Sequence, residues 1–175
     1  MAIKTIFLDR DGVINKEVNY LHRVEDFEFI HGLFDACRYL QKLGYSLVIV
    51  TNQSGIGRGI YKLVDYQILT EWMINEFKRN SIEILDIFYC PHSPKSKCSC
   101  RKPSPGMLIN AQIKHDINMK GSWMIGDKES DIQAASMAGL INTILVRSGH
   151  QIDESTSSAM FFLDSINEIK KTILK

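Results

Sequence analysis

An α/β fold is predicted for this chain: three layers, with helices on both faces of a mostly parallel sheet. Short continuous apolar runs, rich in β-branched residues, read as strands buried on both sides. Segments with apolar residues at helical spacing separate them, and this alternation supplies the crossovers that parallel strands need. Acidic or hydroxyl residues follow several of the runs directly, and ligands of such sheets sit beyond the carboxyl ends of the strands.

Ile3 to Leu8 is the first strand, bounded by a charged cluster. Leu33 to Leu43 is a helix, with Leu33, Phe34, Cys37, Leu40 and Leu43 in phase and Gly44 where its C-cap falls. Cys37, on that stripe, reads as a small core residue. Tyr45 to Val50 is the second strand, Val64 to Phe77 a helix striped by Leu69, Met73 and Phe77, and Ile84 to Tyr89 the third strand. After an irregular stretch come a helix from Gly106 to Lys114, a strand from Ser122 to Ile125, a helix from Glu129 to Met137 and a strand from Thr143 to Val146. Met160 to Leu163 reads as a last short strand, before a terminal helix that includes Ile166, Ile169 and Ile173. Asp9, Thr51, Cys90 and Asp127 then fall at or near strand ends.

The 175 residues read as one domain, 1–175, without internal repeat or low-complexity linker. A formal net charge of +1 argues against a nucleic-acid or membrane-surface binder, which usually carries a basic excess. No apolar run is long enough to span a bilayer, and Met1-Ala2-Ile3-Lys4-Thr5 leads into a strand rather than a signal peptide. A cytoplasmic monomer with no nucleic-acid or membrane partner is the expectation.

Four stretches carry chemistry: Asp9-Arg10-Asp11-Gly12-Val13, Thr51-Asn52-Gln53-Ser54, Arg101-Lys102-Pro103 and Gly126-Asp127-Lys128-Glu129-Ser130-Asp131. Gly12 lets the backbone leave the strand in a conformation that other residues resist. Carboxylates at i and i+2 of an extended segment can face one side, and unpaired they repel, so a cation is expected beside them. Asp127 offers a third oxygen from across the site, and carboxylates with carbonyls and an open position suit Mg²⁺. The plainer alternative makes Asp9 a turn residue and Asp127 and Asp131 helix-capping acids, each stabilising by about 1 kcal/mol. The company of the other motifs weighs against it. Lys102 stands in a basic stretch with Lys95, Lys97 and Arg101, ordinarily a set of solvated charges. The stiff Pro103-Ser104-Pro105-Gly106 that follows suits anion recognition better.

Cys90-Pro91-His92 and Cys98-Ser99-Cys100 place four soft or borderline ligands in a loop at 90–100. Cys₃His is a normal set for closed, tetrahedral Zn²⁺, although the pairs are tighter than zinc-finger spacing. A disulfide, or unrelated reduced cysteines beside a chance histidine, are the alternatives; the first needs an oxidising compartment. Zinc is the expectation, structural because four protein ligands leave no open position. The loop ends directly before Arg101 and Lys102, so the metal would fix both cations in place. His22, His31, His115 and His150 are assigned no chemistry, and the tail after Gly149 is expected to add little.

Asp-x-Asp-Gly after the first strand, Thr after the second, Lys before Pro, and Gly-Asp-x-x-x-Asp resemble the four motifs of the haloacid dehalogenase superfamily of phosphohydrolases. The resemblance implies a Rossmann-like three-layer sandwich and an aspartyl-phosphate mechanism: Asp9 as nucleophile, Asp11 as general acid and base, Thr51 and Lys102 on the phosphoryl oxygens. It also implies Mg²⁺ held by Asp9, Asp127 and the backbone carbonyl of Asp11. The intervals Asp9 to Thr51 and Thr51 to Lys102 have no room for a folded cap. Asp-Arg-Asp-Gly-Val-Ile-Asn, Thr-Asn-Gln-Ser-Gly-Ile-Gly-Arg-Gly, Cys-x-His…Cys-x-Cys-Arg-Lys-Pro and Gly-Asp-Lys, over Ile3 to Val146, resemble the capless heptose bisphosphate phosphatases. Histidinol phosphatases are their nearest kin and remain the alternative. That resemblance implies a small phosphorylated sugar in contact with Glu17, Val18, Asn19, Tyr20, Asn52, Gln53, Ser54, Arg101 and Lys128. Gly57 departs from it, an alanine being usual there, and is expected to loosen its loop slightly.

Overall fold

A computed structural model describes residues 2–173. Among them, β1 (Thr5–Leu8), β2 (Ser46–Asn52), β3 (Asp86–Cys90), β4 (Trp123–Gly126), β5 (Asn142–Val146) and β6 (Phe161–Leu163) form one sheet. The order is β3-β2-β1-β4-β5-β6, and every pairing is parallel. The helices are α1 (Leu33–Lys42), a one-turn α2 (Ser54–Gly57), α3 (Leu63–Arg79), α4 (Gly106–His115) and α5 (Glu129–Met137).

Strand alternation sends side chains to two cores. Ile6, Leu8, Leu47 and Ile49 pack with Leu33, Leu40, Met73 and Phe77 of α1 and α3, while Phe7, Val48, Val50 and Met124 pack with Leu108, Ala111 and Ala134 of α4 and α5. Cys37 is a fully buried member of the first core. Gly44, at φ +84°, closes α1 as its spacing predicted.

Three local expectations are corrected. β1 starts at Thr5, with Ile3 reduced to an isolated bridge to Ile117. β2 runs two residues beyond Val50, because Thr51 and Asn52 pair with Tyr89 and Cys90 of β3. The terminal helix is a 3-10 segment, Ile166–Lys171, whose Ile166 and Ile169 are buried against the α1 face; the hydroxyl of Tyr39 donates to the carbonyl of Ile173 at 2.8 Å.

The strand order reverses between β1 and β4, both central. In such sheets the loops at that reversal diverge and leave a crevice at the carboxyl end. Asp9 and Asp127 are the residues that immediately follow these two strands.

Candidate active site

The backbone N–H of Asp9 still bonds to the carbonyl of Ile125, at 3.0 Å, so the first acid enters the site on the last rung of the ladder. Its Oδ1 accepts from Arg10 N at 2.7 Å and lies 3.0 Å from Lys102 Nζ. Lys102 Nζ also meets Asp131 Oδ1 at 2.7 Å and the carbonyl of Val50 at 2.8 Å. Asp131 does cap its helix, as the plain reading held, since Oδ2 accepts from the N–H groups of Asp127 and Lys128. Its other oxygen pairs with Lys102, a role that sequence reasoning missed.

Asp9, Asp127 and Asp131 bring ligand oxygens within 4.8 Å of one another. Asp131 is occupied at both oxygens. Asp127 Oδ1 is buried and has no hydrogen-bond partner among the described residues. A buried, unpartnered carboxylate oxygen beside a second acid is a costly arrangement that a hard cation resolves. The donor set therefore fits Mg²⁺.

The Asp11 carboxylate lies outside this trio. The expected repulsion between the two acids is answered by Arg10: Nη2 reaches Asp11 Oδ1 at 2.9 Å and Oδ2 at 3.1 Å. Asn15 Nδ2 and Gln53 Nε2 also donate to Asp11, at 3.0 and 3.2 Å. Arg10 is itself buried and bonds the carbonyl of Leu21, which ties the acid to the loop that carries Glu17 to Tyr20. No sequence rule singled out Arg10, because a charge between two acids looks like local neutralisation.

Over these groups opens a cleft of about 420 Å³ lined by Asp9, Asp11, Lys102 and by Glu17, Val18, Asn19, Tyr20, Asn52, Gln53, Ser54, Arg101 and Lys128. Thr51 does not line it. It is buried, and its hydroxyl accepts from Gln53 Nε2 at 2.8 Å, while Tyr61 donates to Gln53 Oε1 at 2.6 Å. Asn52 brackets the backbone of Lys102 with two 3.1 Å bonds, one to its carbonyl and one from its N–H. Arg101 presents a buried Nη1 with no partner among the described residues, a donor left for an anion.

Burial shapes the electrostatics. Desolvation raises the Asp9 carboxyl to about 6, against Lys102, which favours the ionised form, and with help from Asp131 and Asp11. Asp127 is raised by burial and then by Asp9, with His150 opposing. Glu17, at the cleft mouth, is raised to about 7 by burial and the charge of Asp11. Burial would lower Lys102, but Asp131 and Asp9 outweigh it and its pKa lies above the ordinary value.

The cysteine loop gathers as expected. Cys90 Sγ lies 3.2 Å from Cys100 Sγ and 3.7 Å from Cys98 Sγ; His92 Nδ1 lies 3.2 Å from Cys100 Sγ and 3.5 Å from Cys90 Sγ. These separations exclude a bonded S–S pair and approach the ~3.7 Å edge of a tetrahedron around a metal with bonds near ~2.3 Å. Gly57, expected to loosen its loop, instead packs on this one. Its N–H donates to the carbonyl of Pro91 at 2.8 Å, and a Cβ there would stand 2.7 Å from that oxygen.

His150 and the tail are the other corrections. His150 Nδ1 lies 2.6 Å and its N–H 2.9 Å from Asp127 Oδ2, and the residue lines the cleft. Nothing in local spacing could announce it, because β5 delivers it from the far half of the chain. His115, likewise given no chemistry, meets Asp86 Oδ2 at 2.6 Å away from the site.

A family model described as HAD-hydrolase-like matches residues 99–169. A D-glycero-alpha-D-manno-heptose-1,7-bisphosphate 7-phosphatase of Photorhabdus laumondii is 48% identical over 165 residues, 90% of each chain. The D-glycero-beta-D-manno-heptose-1,7-bisphosphate 7-phosphatase of the same organism is 44% identical over 180 residues, covering 98% of this chain and 96% of that one. A D,D-heptose 1,7-bisphosphate phosphatase from B. bronchiseptica, crystallised with magnesium and phosphate, superposes with a TM-score of 0.84 at 28% identity over 97% of both chains. With the parallel sheet and the acids at its reversal, these likenesses place the chain: it belongs to the haloacid dehalogenase-like hydrolases, enzymes that cleave phosphate esters, in one family with the heptose-1,7-bisphosphate 7-phosphatases.

Proposed function

We propose that the chain is a Mg²⁺-dependent phosphatase, a single domain acting as a cytoplasmic monomer. It removes the 7-phosphate of D-glycero-D-manno-heptose 1,7-bisphosphate on the way to nucleotide-activated heptose. The observation that carries the reading is the convergence on one cleft of Asp9, Lys102 and the unpartnered Arg101 nitrogen. A bisphosphate has two anionic ends, and the cleft has a cation for each. Lys102 faces the reacting end beside Asp9, and the guanidinium of Arg101 can grip the second phosphate bidentately.

Asp9, Asp127 and the Asp11 carbonyl would hold Mg²⁺, which when bound neutralises charge between carboxylates and phosphoryl oxygens. Asp9 attacks phosphorus through a carboxylate oxygen, and the ester P–O bond breaks. Oδ1 accepts from Arg10 N and lies against Lys102, so Oδ2 is the less engaged of the two oxygens. Asp11 gives its proton to the departing sugar oxygen. It then takes one from the water that hydrolyses the aspartyl-phosphate, restoring Asp9. Each transfer requires an Asp11 oxygen to exchange a bond with Arg10 or Gln53, so these donors hold the acid ready without covering it permanently. Lys102 stabilises phosphoryl charge directly. Thr51 contributes through Gln53 unless substrate displaces that amide. Cys90, His92, Cys98 and Cys100 would hold Zn²⁺, and the loop so closed would keep Arg101 in register.

Phosphate release from both heptose bisphosphate anomers and from histidinol phosphate tests the assignment. Faster turnover of a heptose bisphosphate is the expected outcome; more efficient turnover of histidinol phosphate, whose amine Glu17 would suit, would refute it.

A further inference from the structure

We propose that His150 is the positioning residue of the cation site, holding Asp127 Oδ2 through its imidazole and its backbone N–H so that Oδ1 is presented to Mg²⁺. The inference rests on Asp127 being a magnesium ligand and adds what orients that ligand. An ionised carboxylate only accepts, so the 2.6 Å contact assigns the proton to Nδ1. Two donors on Oδ2 and, among the described residues, none on the buried Oδ1 divide the carboxylate into an anchored oxygen and a free one.

The backbone leaves little freedom to reverse that division. A Cβ on Gly149 would stand 2.1 Å from Asp127 Oδ2, and one on Gly12 2.4 Å from it, so both loops press on the anchored oxygen. Ser148 clamps the two loops together by donating to the carbonyl of Gly12 at 2.6 Å. On the far edge of the ring, His150 Nε2 faces Glu17 Oε1 at 3.8 Å, beyond hydrogen-bond distance, so the hold on Asp127 comes from the Nδ1 side and the backbone. Carboxylates that bind metals depend on such outer contacts for their orientation.

The test is Mg²⁺ affinity by isothermal titration calorimetry, on the full chain with its zinc loop loaded and no substrate present. His150→Ala and His150→Phe should bind Mg²⁺ about tenfold more weakly, a partial loss because the backbone donor remains. His150→Phe keeps the bulk of the ring, so packing is preserved while the donor is removed. His150→Asn, which places an amide N–H near the Nδ1 position, should recover most of the affinity. Parental affinity in the Ala or Phe variant would overturn the inference, as would an Asn variant as weak as Ala. An affinity untouched by Asp127→Asn would overturn the metal assignment itself, and this inference with it.

Discussion

Lys102 is enclosed by two carboxylates and a carbonyl, so its removal affects more than charge on the substrate. Lys102→Ala leaves Asp9 and Asp131 facing each other, both buried, and breaking such a pair costs about 3–5 kcal/mol. Urea unfolding of the metal-free protein should register a loss of that order; a change below about 1 kcal/mol would show the lysine to be a solvated charge after all. Asp9→Asn is the opposite case. The amide oxygen can still accept from Arg10 N and Lys102, so the fold should persist while turnover falls by at least about a thousandfold. Undiminished phosphate release by that variant would remove Asp9 as nucleophile. At this scale the sequence displayed Asp9, Asp11, Lys102 and Asp127 because each sits in a short ordered motif. It concealed Arg10 and His150, since one is explained locally by its acidic neighbours and the other acts across the sheet.

The element that most constrains the site is the loop between β3 and α4. It begins with Cys90 on the last rung of β3, gathers three sulfurs and one imidazole, and hands over directly to Arg101 and Lys102. Asn52, at the end of β2, receives Lys102 with two backbone bonds, so the loop is fixed at its lysine end, and a metal on the proposed ligands would fix its other end. Cys98→Ala protein shown to be zinc-free should lose most turnover with unchanged Mg²⁺ affinity, because Arg101 is misplaced while Asp9 and Asp127 are not. Full activity without zinc would sink this account. The gathering of Cys90, His92, Cys98 and Cys100 in one loop was legible from composition and crowding. The extra rungs of β2 were not, since the apolar run stops at Val50 and Asn52 is a poor strand former, both Thr51 and Asn52 being recruited by pairing with β3. The terminal 3-10 segment was read as a helix for a related reason: isoleucines three and four apart satisfy both geometries over so short a stretch.

For the molecule as a whole, the site is a concentration of buried acid. Asp9, raised to about 6, Glu17, raised to about 7, and Asp127, also raised, all hold their protons to a higher pH in the fold than in the unfolded chain. A folded pKa above the unfolded one means stability fully present below pH ~4 and lost as pH rises through 6 to 7. At the proposed cation site, Mg²⁺ would compete with those protons for Asp9 and Asp127. The gain in thermal midpoint on adding Mg²⁺ should therefore be larger at pH 8 than at pH 5, and an equal gain at both would contradict a cation site built on these carboxylates. The alternation of strands and helices was legible throughout because parallel strands must be apolar on both faces. The pairing of β1 with β4 was not readable from any segment, since it is decided by how the crossovers pack. That pairing has a consequence for the growing chain. The proposed nucleophile follows the first strand made and its proposed cation partner the fourth, so a chain synthesised only through β3 and the cysteine loop would carry Asp9 and Lys102 but not Asp127. On the proposed mechanism, competence for phosphoryl transfer arrives only when the second half of the sheet docks, and partly folded chains would have no means of consuming substrate.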